Sequence, residues 1–327
     1  MQHKNYYAFT AKTNYNLGLQ MGGTFKNVAN NSLKKRRTTD WESRRSLSQG
    51  FLQITVKYFP EYIQELKGYA KGADIDFIDL WIMSLEDELN PFLDTTEKCT
   101  FGVTNRGKLL FHNEDWEADA KDSVCVVQKT VDNLTILELY YYNTLGGCSV
   151  SVNSHGFAHS INSLSHKDKQ VGVPRNVIAR WFSETDNPQK DFEKMKTIRR
   201  SSGYNHNIVS KNGSICNIES SATKQILTLP NAPFTHTNHY LTELEVEENS
   251  DNSSWTRNRF KSSCSLLKEV MTLDEVKQIT LNQDQGEEAS IFNERTIGKM
   301  IVDFDTKQAH IWLMRESEVW VTYDLFF

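Results

Sequence analysis

The sequence predicts an α+β protein in which helices and antiparallel sheet stack as layers of one domain, and three observations predict it. Up to about residue 92, apolar residues recur at three- and four-residue steps. After Cys99 the period changes to two and holds through a run of strand-like segments. Helical and strand patterns then alternate to the end of the chain.

Each element has its own signal. In "FPEYIQELKGYAKGA" Tyr62, Ile63, Leu66 and Ala70 share a helical face, and Gly68 and Gly72 punctuate it. In "DIDFIDLWIMSLEDEL" Asp76 is placed to cap a second helix whose buried stripe is Phe77, Leu80, Trp81, Ser84 and Leu85. Alternation then marks "CTFGVT", "GKLLFHNEDW", "SVCVVQKTV", "LTILELYYY" and "SVSVNSHGFAHSIN", with turn signals at Asn105-Arg106-Gly107 and Gly146-Gly147. Pro174 suits the first helical position of "PRNVIARWFSE", and Thr272 with Glu275 forms a capping box before "LDEVKQI". "SICNIES" and "ILTLPNAPF" read as strands between them. "GKMIVDFDTKQAHIWLM" reads as a hairpin turning at Asp305 to Gln308, and "EVWVTYDLFF" as a last edge.

The 327 residues are enough for a substantial core. With 37 basic and 42 acidic residues the net charge is −5, which gives no electrostatic footprint for nucleic acid. The run Lys34-Lys35-Arg36-Arg37 reads as a solvated face. No stretch reaches the roughly 18 to 20 apolar residues of a membrane helix, and "MQHKNYYAFT" lacks the apolar segment of a secretory signal, so a cytoplasmic protein without a membrane partner is expected. Five cysteines without CxxC spacing argue against a disulfide framework and a zinc ribbon. No metal site is expected: HExxH is absent, His155 and His159 would lie about 13 Å apart along a strand, and His236 and His239 would point to opposite faces.

Cys125, Cys148, Cys216 and Cys264 sit in apolar or small-residue segments, as packing cysteines do. Cys99 differs: it is flanked by Lys98 and Thr100 and stands where the helical region ends and the sheet begins. A nucleophilic thiol needs a base, oxyanion donors and a group to orient the base. A histidine could be the base. So could the cysteine's own α-amine, if the bond before it were cut. An α-amine with a pKa of about 7.7 to 8.0 is roughly 10 to 17% free base at pH 7, close to the optimum for proton transfer.

Ten segments in order carry a resemblance over nearly the whole chain: "LGLQMGG", "ELKGYAKGADIDFIDLW", the strand at Cys99-Thr100, "HNEDW", "VNSHGFAHSINSL", "GVPRNVIAR", "SSGYNHNIVSKNG", "ICNIE", "HTNHYL" and "IVDFDTKQAHIW". With these the chain resembles the acyl-coenzyme A:6-aminopenicillanic acid acyltransferase (isopenicillin N acyltransferase) family, cysteine-type members of the N-terminal nucleophile (Ntn) hydrolase superfamily. The resemblance implies an αββα sandwich of two antiparallel sheets flanked by helices. It also implies self-cleavage between Lys98 and Cys99, leaving associated fragments 1–98 and 99–327 in one structural domain.

Carried over by residue, the resemblance makes Cys99 the nucleophile and, through its amine, the base. Asp115 then holds the amine and thiol, with Glu114 facing the other way, and Asn238 donates to the oxyanion. Asn162 and Arg257 lie near substrate or nucleophile, with Arg259 on the same helix as the residue most easily confused with Arg257. His112 occupies a position that some relatives fill with arginine or glutamine. Lys98 replaces the glycine that precedes the nucleophile in the fungal acyltransferase, and "LMRES" replaces a Gly-Pro turn after "AHIW". The expected activity is cleavage or transfer at a small-molecule amide through a cysteine acyl-enzyme, with no cofactor and with acyl-CoA left open as co-substrate. The alternatives are an unprocessed, non-catalytic binding protein of the same fold and a Cys-His enzyme using His112 or His236.

Overall fold

The computed structural model describes residues 2–89, 99–248, 254–286, 289–316 and 319–327. Lys98 lies outside the described residues. The first part of the chain forms β1 (Tyr6–Ala11), α1 (Asn14–Thr24), α2 (Lys26–Arg36), α3 (Trp41–Tyr58), α4 (Pro60–Ala73), α5 (Phe77–Ser84) and α6 (Glu86–Leu89). Then come β2 (Thr100–Thr104), β3 (Leu109–Asp115), β4 (Val124–Val131), β5 (Leu134–Tyr141), β6 (Val150–Asn153), β7 (Phe157–Ser163), α7 (Arg175–Ser183) and α8 (Pro188–Met195). The remainder is β8 (Tyr204–Ser210), β9 (Ile215–Ser220), β10 (Gln225–Thr228), β11 (Phe234–His236), α9 (Ser254–Leu266), α10 (Leu273–Ile279), β12 (Thr296–Asp303), β13 (Gln308–Leu313) and β14 (Val321–Asp324).

The strands form two sheets, one of eight in the order β1-β4-β5-β6-β7-β8-β9-β10 and one of six in the order β11-β2-β3-β12-β13-β14. Neighbouring strands run antiparallel except β1 and β4, which are parallel. Three cores define four layers. Val126, Leu137, Leu139 and Val152 of the larger sheet meet Phe101, Leu110, Met300 and Ile311 of the smaller one. On the outer face of the larger sheet, Val127, Tyr140 and Ile218 pack with Leu17, Tyr69, Trp81 and Phe182 of the helices. On the outer face of the smaller sheet, Phe111 and Ile301 pack with Leu267, Val276 and Ile279. Because central strands such as β2, β3, β8 and β9 bury both faces, their alternation separates two cores and not core from solvent. The αββα sandwich is therefore present.

Several local signals hold. Asp76 caps α5 by accepting from the Ile78 N–H, and Thr272 and Glu275 form both halves of the capping box on α10. Lys34 to Arg37 are mostly exposed. Among the described residues no helix is long and apolar enough to cross a membrane.

Other expectations need correction. The first region is not wholly helical: "YYAFTA" is strand β1 at the edge of the larger sheet, where only Phe9 is buried. "SVSVNSHGFAHSIN" is two strands broken by a turn at 154–156, so His155 lies in the turn and His159 in β7. Pro174 is the cap before α7, not its first residue.

Gly68 and Gly72 do not end a helix; they sit inside α4 and, with Gly18 and Gly22 of α1, let two backbones touch. A Cβ at Gly22 would lie 2.0 Å from the Tyr69 carbonyl oxygen, and one at Gly68 would lie 2.0 Å from that of Tyr15. Gly23, one residue on, has nothing within 4 Å. Gly22→Ala is therefore expected to cost about 1–3 kcal/mol in urea unfolding through overpacking. Gly23→Ala should cost nothing and stabilise by about 0.5–1 kcal/mol through helix propensity.

Candidate active site

Cys99 immediately precedes β2, and the β2–β3 register decides what it meets. Thr100 pairs with Asn113 and Phe101 with His112, so continuing the ladder sets Cys99 opposite Glu114. Directly opposite residues in an antiparallel pair point to the same face. One ligating atom each from Cys99, His112 and Glu114 accordingly lie within 4.8 Å of one another, on the face toward the larger sheet. His112 Nε2 is 2.8 Å from Glu114 Oε2. Tyr141 donates its hydroxyl to Glu114 Oε1 at 2.7 Å, and Ser149 donates to Oε2 at 2.5 Å.

Asn113 and Asp115 take the opposite face, toward α10. Asn113 Nδ2 donates to the carbonyls of Thr280 and Ile291, at 3.0 and 2.9 Å, and Asn293 Nδ2 donates to Asp115 Oδ2 at 2.8 Å. The expected orientation of the two carboxylates is thus reversed: Glu114 shares the thiol's face and Asp115 does not. The physical reason is strand pairing. The three-residue turn at Asn105–Gly107 sets the register by one residue, and one residue exchanges every face.

The carbonyl of Cys99 is the second focus. It accepts from Asn162 Nδ2 at 3.1 Å and from an Arg259 guanidinium nitrogen at 2.9 Å. The same nitrogen donates to Thr100 Oγ1 at 2.9 Å, and the other terminal nitrogen donates to Asn238 Oδ1 at 2.9 Å. Asn238 donates its side-chain amide to the Ser163 carbonyl at 3.1 Å and its backbone N–H to Thr256 Oγ1 at 2.8 Å. Cys99, Asn162 and Asn238, named together by the sequence, are thus brought together.

Arg257 is not with them. It lies half exposed, paired with Glu245 at 2.8 Å and Glu248 at 3.6 Å, while Arg259 is fully buried. Two residues on a helix are about 200° apart, so only one of these arginines can face inward. The inward stripe Thr256, Arg259, Ser262 and Ser263 follows helical spacing and was a readable signal for the correct one.

Two supporting groups had no signal in sequence alone. Asn205, Asn207 and Asn217 link by side-chain amides, and Asn207 donates to Asn162 Oδ1 at 2.9 Å, which fixes the amide that reaches Cys99. Glu219 holds the loop carrying Asn238: it accepts from His236 Nε2 at 3.0 Å and from the N–H groups of Leu241 and Thr242 at 2.6 and 3.1 Å. Burial works to raise the Glu219 carboxyl, but these donors outweigh it and hold it below the usual carboxylate range. His236 is thereby engaged by Glu219, with Nδ1 2.6 Å from the Thr237 carbonyl.

Burial pushes the Asp115 carboxyl up to about 6, against the pull of the Arg259 charge and of hydrogen bonds from Thr296 and Asn293. Burial also lowers Arg259, opposed by Asp115 and Cys99. Close by, a pocket partly open to solvent is lined by Met83, Trp116, Tyr141, Cys148, Asn176 and Tyr204 among others. Its wall residue Tyr141 donates to Glu114.

The layers and this cysteine-centred cluster fit the class that the sequence resemblance implied. A sequence model of the family described as "Acyl-coenzyme A:6-aminopenicillanic acid acyl-transferase" matches residues 103–313, and the chain belongs to that family. It is 26% identical over 217 residues to the "Beta-alanyl-dopamine/carcinine hydrolase" of Drosophila melanogaster, covering 58% of this chain and 56% of that protein. It is 24% identical over 147 residues to the "Acyl-coenzyme A:6-aminopenicillanic-acid-acyltransferase 40 kDa form" of Emericella nidulans, covering 44% of this chain and 41% of that one. The chain spans about half the length of the curated relatives it matches. Among solved structures, a mutant of the conjugated bile acid hydrolase from Clostridium perfringens gives a TM-score of 0.48 at 9% identity, covering 69% of this chain and 92% of that one. Penicillin V acylase from Agrobacterium tumefaciens gives 0.44 at 11% identity, covering 69% and 86%.

The Asp115 titration is directly testable. Its folded value near 6 lies above the unfolded value of about 3.9, so the native state holds an extra proton between these pH values. The stability this contributes is complete below the unfolded value and lost as pH rises through about 6. Carboxyl ¹³C titration should show a midpoint near 6 that moves higher in Arg259→Gln, because the guanidinium favours the charged form. Arg257→Gln should leave it unmoved.

Proposed function

We infer that the protein is a self-processing amide-cleaving enzyme whose nucleophile is the Cys99 thiol. The reading is carried by one observation: Asn162 from β7, Arg259 from α9 and, through Arg259, Asn238 from the loop after β11 all converge on Cys99. In maturation the thiol attacks the Lys98 carbonyl and its proton passes to the departing Cys99 nitrogen. The resulting thioester is hydrolysed by water, leaving a Lys98 carboxylate and a free Cys99 amine. Segment 1–98 supplies β1 to the larger sheet and helices to its outer core, which supports continued association of the two fragments.

In turnover the amine takes the thiol proton, the thiolate adds to the substrate carbonyl, and the proton passes to the leaving amine as the acyl-enzyme forms. Asn238 supplies an amide donor for the oxyanion, oriented by Arg259. Asn162 fixes the Cys99 carbonyl, and Asp115 acts from the opposite face through Arg259. Water resolves the acyl-enzyme in a hydrolase and an acceptor amine does so in an acyltransferase. Hydrolysis needs only one bound substrate.

The substrate class is a small amide of an amino or carboxylic acid with an amine, supported by the carcinine hydrolase and acyltransferase relatives and by the aromatic pocket beside Tyr141. No cofactor is required; acyl-CoA is the alternative acyl donor. All five cysteines are free, which supports a reducing, cytoplasmic setting. A second reading, with His112 as base, is favoured by the closeness of its ring to the thiol. Blocking the α-amine should abolish turnover while His112→Gln retains it, and that pair of results would exclude the histidine.

Mass analysis of the purified protein should find chains 1–98 and 99–327, replaced in Cys99→Ala by one intact chain. An intact wild-type chain without amidase activity would leave a binding protein of the same fold. Asn238→Ala is expected to process but to lose roughly 10²–10³ in kcat, as for other oxyanion donors.

A further inference from the structure

Among the described residues, one group of three potential metal-ligating side chains converges: Cys99, His112 and Glu114, all buried, with a ligating atom from each within 4.8 Å of the others. Thiolate, imidazole and carboxylate are the three ligand types that zinc takes, at about 2.0–2.3 Å each. Two further features suit a cation. His112 Nδ1 has no hydrogen-bond partner among the described residues although the ring is fully buried, and Nε2 already lies 2.8 Å from a Glu114 carboxylate oxygen. The Glu114 carboxylate is already oriented by Tyr141 and Ser149, the kind of outer support that ligating carboxylates carry.

Charge points the same way. A thiolate and a carboxylate offset a dication, and Arg259 approaches Cys99 at its carbonyl and Thr100, not from the face shared by His112 and Glu114. We propose that Cys99, His112 and Glu114 form a binding site for a thiophilic divalent cation, zinc being the best fit, and that an occupied site cannot catalyse. Binding releases the thiol proton and engages the sulfur that would attack substrate. The three side chains need no backbone cleavage. The fourth ligand rests on the maturation inferred above: the freed α-amine of Cys99 closes a five-membered chelate with its own sulfur. Cation and substrate then compete for the nucleophile and its base together.

The test uses the full chain and cobalt(II) as a spectroscopic stand-in, with processing followed in the same sample by mass. One equivalent of cobalt should produce a thiolate-to-metal charge-transfer band that zinc abolishes, that Cys264→Ser leaves intact and that Cys99→Ala removes. Glu114→Gln and His112→Gln should weaken binding by at least the roughly 10–100-fold typical of lost outer-shell partners. Zinc should inhibit turnover in the same concentration range, reversibly by chelator. A band on an intact, unprocessed chain would support the site while contradicting maturation. A processed, active enzyme with no band, or a band untouched by both Glu114→Gln and His112→Gln, would overturn the site and leave the enzymatic reading standing.

Discussion

A fully buried guanidinium is the constraint on which this site depends. Arg259 has been taken out of water between helix α9 and the first strand of the smaller sheet, a placement that is costly unless its donors are used. Its two terminal nitrogens are used on Cys99, Thr100 and Asn238, three groups from two separate stretches of chain. The fork geometry of arginine allows this, where the point charge of a lysine would not. The Cys99 carbonyl, the first residue of β2 and the loop asparagine are therefore fixed by one rigid plane. Asp115 completes the compensation from the same side of the sheet, with its own carboxyl raised to about 6.

Around this centre the polar interior is organised as supports for supports. Glu219 gathers His236, Leu241 and Thr242 and so fixes both ends of the loop that carries Asn238. The asparagines on β8 and β9 form a ladder that ends on Asn162. Side-chain amides suit that task because each offers donors and an acceptor without charge, so the chain is satisfied in a space that would penalise an ion. The sandwich makes such a space: Asn162, Asn205, Asn207 and Asn217 all point into the layer between sheets, where water is excluded but partners on the neighbouring strand are close.

The layer order and most strands were legible because period two and period 3.6 alternate cleanly along the chain. β1 was not, because an edge strand with one buried residue leaves almost no alternation to read. The family resemblance located Cys99, Asn162 and Asn238 in a common site, since those depend on residue type within ordered motifs. What failed were choices of face. Glu114 and Asp115 are adjacent, and only the turn at Asn105–Gly107 decides which one opposes Cys99. Arg257 and Arg259 differ by two helical positions, and the stripe of small polar residues beside Arg259 carried the answer. The asparagine ladder and the Glu219 clasp are long-range pairings that no local pattern encodes.

The central claim is that Cys99 carries the acyl group. Quenching the enzyme during turnover of an activated acyl ester and mapping the modified peptide tests it most directly. The account predicts one hydroxylamine-labile acyl adduct on the polypeptide that begins at Cys99. An adduct on Cys148 or Cys264 instead, or turnover with no thioester on any cysteine, would contradict it.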